Sequence, residues 1–105
     1  MPNGHDKNWI RLCAAVDGFR VRYGRWPTRV RMRPGMMANI RDYLFTPEDY
    51  AKITAKVSLV PADGAGMIAE GDSDARYNYG QEGFPEESPT PSAYEWFGVE
   101  PRPEA

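Results

Sequence analysis

The stretch RWPTRVRMRPG, residues 25–35, predicts one β-strand with a chain break on each side. Pro27 disfavours a helical conformation for the residue before it, so a turn is expected there. Apolar and charged residues then alternate, which is typical of a strand with one buried face. The following Pro34 and Gly35 end the strand. The residues expected to face the core are Val30 and Met32, and those expected to face solvent are Arg29, Arg31 and Arg33.

Helices are predicted on both sides of this strand. Apolar residues recur at spacings of three and four over residues 6–23, which predicts an amphipathic helix. After the strand, residues 36–44 can form a short helix. A third helix is predicted from 47 to about 56, because Thr46 is a good N-cap and Pro47 suits the first helical position.

Three further strands are predicted at 57–60, 66–70 and 75–79, separated by loops that contain glycine. Consecutive short strands favour an antiparallel meander. The predicted fold class is therefore α+β, a small two-layer domain that covers residues 1–80. Its order is helix, strand, helix, helix and then a three-strand antiparallel meander, with the helices on one face of the sheet. The predicted core contains Trp9, Leu12, Val16, Ile40, Ile53 and Leu59.

Residues 81–105 differ in composition from the rest of the chain. They contain five prolines, six glutamates and few aliphatic residues, which predicts an extended acidic arm. An aromatic island, AYEWFGV at 93–99, interrupts this arm. The island would either dock on another protein as a short linear motif or fix the arm to the chain's own domain. We predict that 94–99 docks against its own domain or an identical neighbour, with flanking glutamates near the Arg20–Arg33 surface.

Length and composition predict a single cytoplasmic domain. The chain has 105 residues, which is enough for one compact domain. It contains no apolar run near the ~18 residues that a membrane span needs. Its N-terminus lacks the basic and apolar segments of a secretory signal. A single cysteine cannot build an internal disulfide framework, so a cytoplasmic protein without membrane contact is expected.

Charge is distributed unevenly along the chain. The net charge is −2, yet residues 1–61 contain eleven basic residues against five acids, and residues 62–105 contain two against ten. Ten of the thirteen basic residues are arginines, whose planar guanidinium suits carboxylates, phosphates and aromatic rings. Six of these arginines lie in residues 19–33, with no acid among them. We therefore expect this arginine-rich segment either to form a binding surface or to pair with the acids of the chain's own C-terminal half.

The sequence offers few groups for catalysis. One histidine, His5, and one cysteine, Cys13 on the apolar side of the first helix, cannot supply a structural zinc site. A Cys-His or Ser-His-Asp site and a glycine-rich phosphate loop are not expected either. The acidic run at 70–78 departs from a calcium loop, since Arg76 and Tyr77 stand where a ligand oxygen and a glycine are required. We expect no enzyme activity, cofactor, metal or small-molecule substrate.

Three functions are compatible with these patterns. The first is a non-enzymatic protein–protein interaction module, an adaptor, inhibitor or small accessory subunit that binds another protein or a second copy of the chain. The alternative is a nucleic-acid-binding module using Arg20–Arg33, since alternate side chains on a strand lie ~6.6 Å apart, about two nucleotide rises. The third is an acidic nucleic-acid mimic that blocks a nucleic-acid enzyme. The predicted partner-binding residues are Arg20, Arg22, Tyr23, Arg25, Trp26, Arg29, Arg31, Arg33, Tyr94, Trp96 and Phe97.

Overall fold

The structure is a computed structural model that describes residues 4–103. Helices pack against a four-stranded mixed sheet, which confirms the α+β fold class. The elements in chain order are α1 (Lys7–Tyr23), β1 (Arg29–Met32), α2 (Pro34–Asn39), a π-helical turn (Ile40–Leu44), α3 (Pro47–Lys56), β2 (Ser58–Pro61), β3 (Gly66–Glu70), β4 (Arg76–Asn78), α4 (Tyr79–Glu82) and α5 (Ala93–Phe97).

The predicted strands all form, but the last three do not make a meander. The sheet order is β2-β1-β3-β4, so β1 separates β2 from β3. β2 is parallel to β1, whereas β3 is antiparallel to both β1 and β4. The parallel pair arises because a helical crossover, α2 to α3, joins β1 to β2 and returns the chain in the same direction. Pro61 cannot donate a ladder hydrogen bond, which suits the edge position of β2.

Helix α1 packs on the inner face of the sheet. This contact is close at Gly18, where a Cβ atom would lie 2.4 Å from the ring of Tyr77. The inner face is apolar because of the alternation in β1 and its neighbours, and its buried residues are Val30, Met32, Met67, Ala69 and Tyr77. A glycine in the middle of the helix therefore allows the sheet to approach the α1 backbone.

The C-terminal segment, residues 81–103, completes the same hydrophobic core. Ala93, Phe97 and Val99 are buried and belong to the core cluster that α1 and the sheet form. Residues 12–19 of α1 are all buried, because the sheet and the C-terminal segment enclose the helix. The C-terminal segment thus packs on the expected two-layer domain. Its helix α5 lies where the sequence predicted an extended arm.

Most of the predicted local features are present. Thr46 caps α3, its Oγ1 accepting a hydrogen bond from the backbone N–H of Asp49 at 3.2 Å. Leu59 was predicted to be buried in the core but is only half-buried, because β2 lies at the edge of the sheet. The buried ones are Trp9, Leu12, Val16, Ile40 and Ile53.

Candidate functional site

The outer face of the sheet lies opposite α1. Alternation along β1 places Arg29 and Arg31 on this face, while their neighbours point to the core. The strand register extends the face across the sheet. We define the outer sheet face as Arg29, Arg31, Ser58, Val60, Ile68, Glu70, Arg76 and Asn78.

Glu70 lies between two arginines of this face. Its Oε1 accepts a hydrogen bond from Arg29 Nε at 2.7 Å, and its Oε2 lies 3.6 Å from Arg31 Nη1. The Glu70 side chain is 11% exposed, whereas those of Arg29 and Arg31 are 43% and 47% exposed. One covered carboxylate therefore orients two guanidinium groups that remain accessible to solvent.

Arg76 adds a third arginine to the outer sheet face. It lies directly opposite Glu70 in the β3–β4 register, and it is exposed. The hydroxyl of Tyr23 fixes the Arg76 backbone, accepting from its N–H at 3.0 Å and donating to its carbonyl at 3.1 Å. The sequence patterns did not point to Arg76 as a site residue. The alternation around Tyr77 indicates which way Arg76 faces, but not which strand lies beside it.

Arg22 and Arg20 also make contacts inside the chain. Arg22 donates two hydrogen bonds to the carboxylate of Glu82 and one to the backbone carbonyl of Arg76 at 3.1 Å. The bond from Arg22 lowers the pKa of Glu82. The guanidinium of Arg20 lies 4.4 Å from the ring centroid of Trp26, within cation–π distance. Part of the positive charge of residues 19–33 thus serves to hold the fold together.

Arg33 does not continue the row of Arg29 and Arg31. β1 ends at Met32, and Arg33 precedes the first residue of α2. Of the three arginines in the predicted row, β1 thus contains Arg29 and Arg31, while Arg33 follows the strand as an extended residue before α2. Arg33 lines a cavity that lies apart from the outer sheet face. The remaining predicted arginine, Arg25, is exposed in the turn after α1.

The predicted aromatic residues contact the chain's own domain. Trp26 stacks on Trp96, with ring centroids 4.2 Å apart and planes inclined by 2°. Phe97 is 2% exposed and packs against Trp9 at a centroid distance of 5.3 Å. Tyr94 is 46% exposed, and its partial burial raises its pKa to about 12. Of the three aromatic residues predicted to bind a partner from the arm, Tyr94 presents the most surface to solvent.

Asp17 is a buried carboxylate in the middle of α1. Its Oδ1 accepts a hydrogen bond from the backbone N–H of Ala93 at 2.7 Å, which links α1 to the start of α5. Burial raises the pKa of Asp17 and also raises the pKa of the Cys13 thiol, to which the charge of Asp17 contributes. A thiol with a raised pKa stays protonated and is a poor nucleophile. The link to α5 was not predicted, since a lone acid in a helix does not indicate its partner.

Residues 4–103 contain neither a cluster of metal-ligating side chains nor a membrane-spanning helix. Within residues 4–103, no three His, Cys, Asp or Glu side chains lie close enough together to hold a metal ion. In the same range, none of the helices combines the length and apolar character that crossing a membrane requires. Glu70, the first acid of the run tested as a calcium loop, instead pairs with arginines.

Comparison of the chain with protein-family models, with curated proteins and with solved structures finds no significant match. The outer sheet face offers three guanidinium groups around one carboxylate. Guanidinium groups form strong, oriented hydrogen bonds with carboxylates and phosphates, so this face is suited to binding acidic groups.

Proposed function

We propose that this chain is a non-enzymatic protein–protein interaction module whose outer sheet face binds an acidic surface of a partner protein. The observation that carries this proposal is the exposure of Arg29, Arg31 and Arg76 around the covered Glu70. An adaptor, an inhibitor or an accessory subunit would each use such a surface. We further propose that the protein works in the cytoplasm, which the buried and unpaired Cys13 supports.

The composition of the outer sheet face favours a protein partner. Two aliphatic side chains, Val60 and Ile68, are half-buried among the arginines. Mixed apolar and arginine surfaces are common in protein interfaces, where arginine is enriched and can contribute a large share of binding energy. A partner carboxylate would bind the free N–H groups of arginines that Glu70 has already oriented.

A partner of opposite charge is favoured over a second copy of the chain. A two-fold dimer places the same surface on both subunits. The outer sheet face contains three arginines and one glutamate, so pairing it with itself would bring like charges together. We therefore propose an acidic partner different from this chain.

Nucleic-acid binding is the second candidate. The three solvent-facing arginines of one sheet favour it, because arginine also binds phosphate. One observation argues against it. The outer sheet face contains no aromatic residue on which a base could stack. The acidic-mimic function has less support, because Glu70 and Glu82 of the acidic half pair with arginines.

The test compares charge reversals on and off the outer sheet face. A photo-crosslinking residue at position 60, beside Arg31 in the register, would capture a partner from the source cells. We expect Arg31→Glu to abolish this capture and Arg25→Glu, a matched reversal in the exposed turn, to leave it unchanged. Equal capture by the wild type and Arg31→Glu would contradict the proposal.

Mobility-shift assays with generic DNA and RNA separate the two candidates. We expect no shift near physiological salt. A shift that weakens steeply with salt and disappears in Arg31→Glu would favour nucleic-acid binding, since each phosphate contact releases a counterion.

A further inference from the structure

We propose that a cavity beside the first turns of α1 binds the phosphate group of a small phosphorylated molecule. The cavity has a volume of about 350 Å³, and its lining residues are Lys7, Asn8, Arg11, Arg33, Gly35 and Met36. None of these residues belongs to the outer sheet face. The inference is therefore independent of the proposed partner-binding function.

Three cationic side chains meet at this cavity. Lys7 and Arg11 are four residues apart on α1, so they lie on the same side of the helix. Arg33 joins them from the end of β1. The lining contains no acid, and within residues 4–103 no ion pair neutralises any of the three. Like charges that line one cavity repel one another, and a bound anion would relieve that repulsion.

A hydrogen-bonded pair of amide side chains positions one of these cations. Asn8 is buried, and its Oδ1 accepts a hydrogen bond from Arg11 Nη1 at 3.3 Å. The Asn8 Nδ2 in turn donates to Asn39 Oδ1 at 3.0 Å, which ties α1 to α2. Arg11 has five N–H donors, so the bond to Asn8 leaves most of them for a ligand. The guanidinium is thus oriented by Asn8, and within residues 4–103 its other donors make no hydrogen bond to the protein.

The shape and chemistry of the cavity suit a phosphate ester. Guanidinium groups bind phosphate through paired hydrogen bonds, and the ammonium of Lys7 adds a compact positive charge. Gly35 contributes no side chain to the wall, and the space where its Cβ would lie is open. A volume of about 350 Å³ is at the lower end of the ~300–1,000 Å³ range of small-molecule sites.

The test is a titration of the full-length chain followed by amide NMR. The probes are inorganic phosphate and pyrophosphate, with sodium chloride at equal ionic strength as the salt control. We expect saturable shifts of the Lys7, Arg11 and Gly35 amides with both phosphates. Arg33→Gln should weaken binding by about tenfold, as expected when one charge-assisted hydrogen bond is lost. Arg25→Gln, which alters an exposed arginine outside the cavity, should bind like the wild type.

Two outcomes would overturn the proposal. One is a set of shifts that do not saturate and that sodium chloride reproduces. The other is an equal loss of affinity in Arg33→Gln and Arg25→Gln, which would indicate attraction to overall charge rather than a site. Thermal unfolding without phosphate checks the fold: Arg33→Gln should be as stable as the wild type, and phosphate should raise the Tm of the wild type more than that of the variant.

Discussion

The indole rings of Trp26 and Trp96 lie parallel, with centroids 4.2 Å apart, and join the turn after α1 to α5. Cations flank the pair: the guanidinium of Arg20 lies 4.4 Å from the Trp26 centroid, and Lys56 Nζ lies 5.3 Å from the Trp96 centroid. Aromatic pairs and cation–π contacts both add to the free energy of apolar burial. The C-terminal segment is therefore attached through stacked rings as well as through its buried residues.

We expect Trp96→Ala to lower the free energy of unfolding by about 2–3 kcal/mol, because it removes the stacked partner of Trp26 and a half-buried ring. Trp96→Phe keeps an aromatic ring and should cost less. Urea unfolding followed by circular dichroism measures both values. Equal stability of the alanine variant and the wild type would show that the stack contributes nothing.

Replacing Asp17 should separate its hydrogen bond from its charge. Asp17→Ala leaves the backbone N–H of Ala93 without its acceptor, and we expect a loss of about 1–3 kcal/mol. Asp17→Asn keeps an oxygen acceptor of similar shape and should cost far less at neutral pH. Chemical denaturation of the two variants beside the wild type tests the difference.

The pH dependence of Asp17→Asn follows from the raised pKa of Asp17. Burial raises this pKa in the folded protein, so the folded state holds the Asp17 proton more tightly than the unfolded chain does. The contribution of Asp17 to stability is therefore present at acidic pH and is lost as pH rises through the folded-state pKa. Relative to the wild type, Asp17→Asn should be more favourable at pH 7 than at pH 3. The reverse trend in unfolding free energies would mean that the folded state favours the carboxylate.

Gly18→Ala should destabilise the protein although alanine favours helices. The added Cβ would lie 2.4 Å from the ring of Tyr77, so the sheet or the helix must move, at a cost of about 1–3 kcal/mol. Gly35→Ala is the matched control, because its Cβ meets no atom within 4 Å. Thermal unfolding should show a lower Tm for Gly18→Ala and an unchanged or higher Tm for Gly35→Ala. A stabilised Gly18→Ala variant would contradict the close packing of α1 on β4.

Phe97→Ala tests whether the aromatic island stays docked in solution. Phe97 is buried against Trp9, so its truncation should cost about 3–5 kcal/mol. Tyr94→Ala, at a half-exposed ring of the same helix, should cost clearly less. Unfolding free energies of the two variants give the comparison. An unchanged stability of Phe97→Ala would indicate a free arm, and the island would then be better interpreted as a docking motif for another protein.

The local features that the sequence predicts depend on residues a few positions apart. The alternation of Val30 and Met32 with arginines predicted β1 and its outward charges, and the Thr46 cap predicted where α3 begins. The sequence also predicted the approximate positions of the last three strands. These signals are local because backbone propensity, capping and side-chain periodicity act within one or two turns of chain.

The order of the strands and the site's composition were decided only in the tertiary structure. Placing β1 between β2 and β3 brings Arg76 opposite Glu70, a pairing between strands that no local pattern specifies. The docking of Trp96 on Trp26, and the meeting of Arg33 with the start of α1, likewise join segments far apart in sequence. Such contacts form because the chain as a whole buries its apolar surface between packed elements. A pattern within one segment does not specify which other segment will cover it. The sequence by itself determined α1 to α3, the strands and the outward arginines, while the packing of α1 between the sheet and the C-terminal segment determined which charges remain exposed.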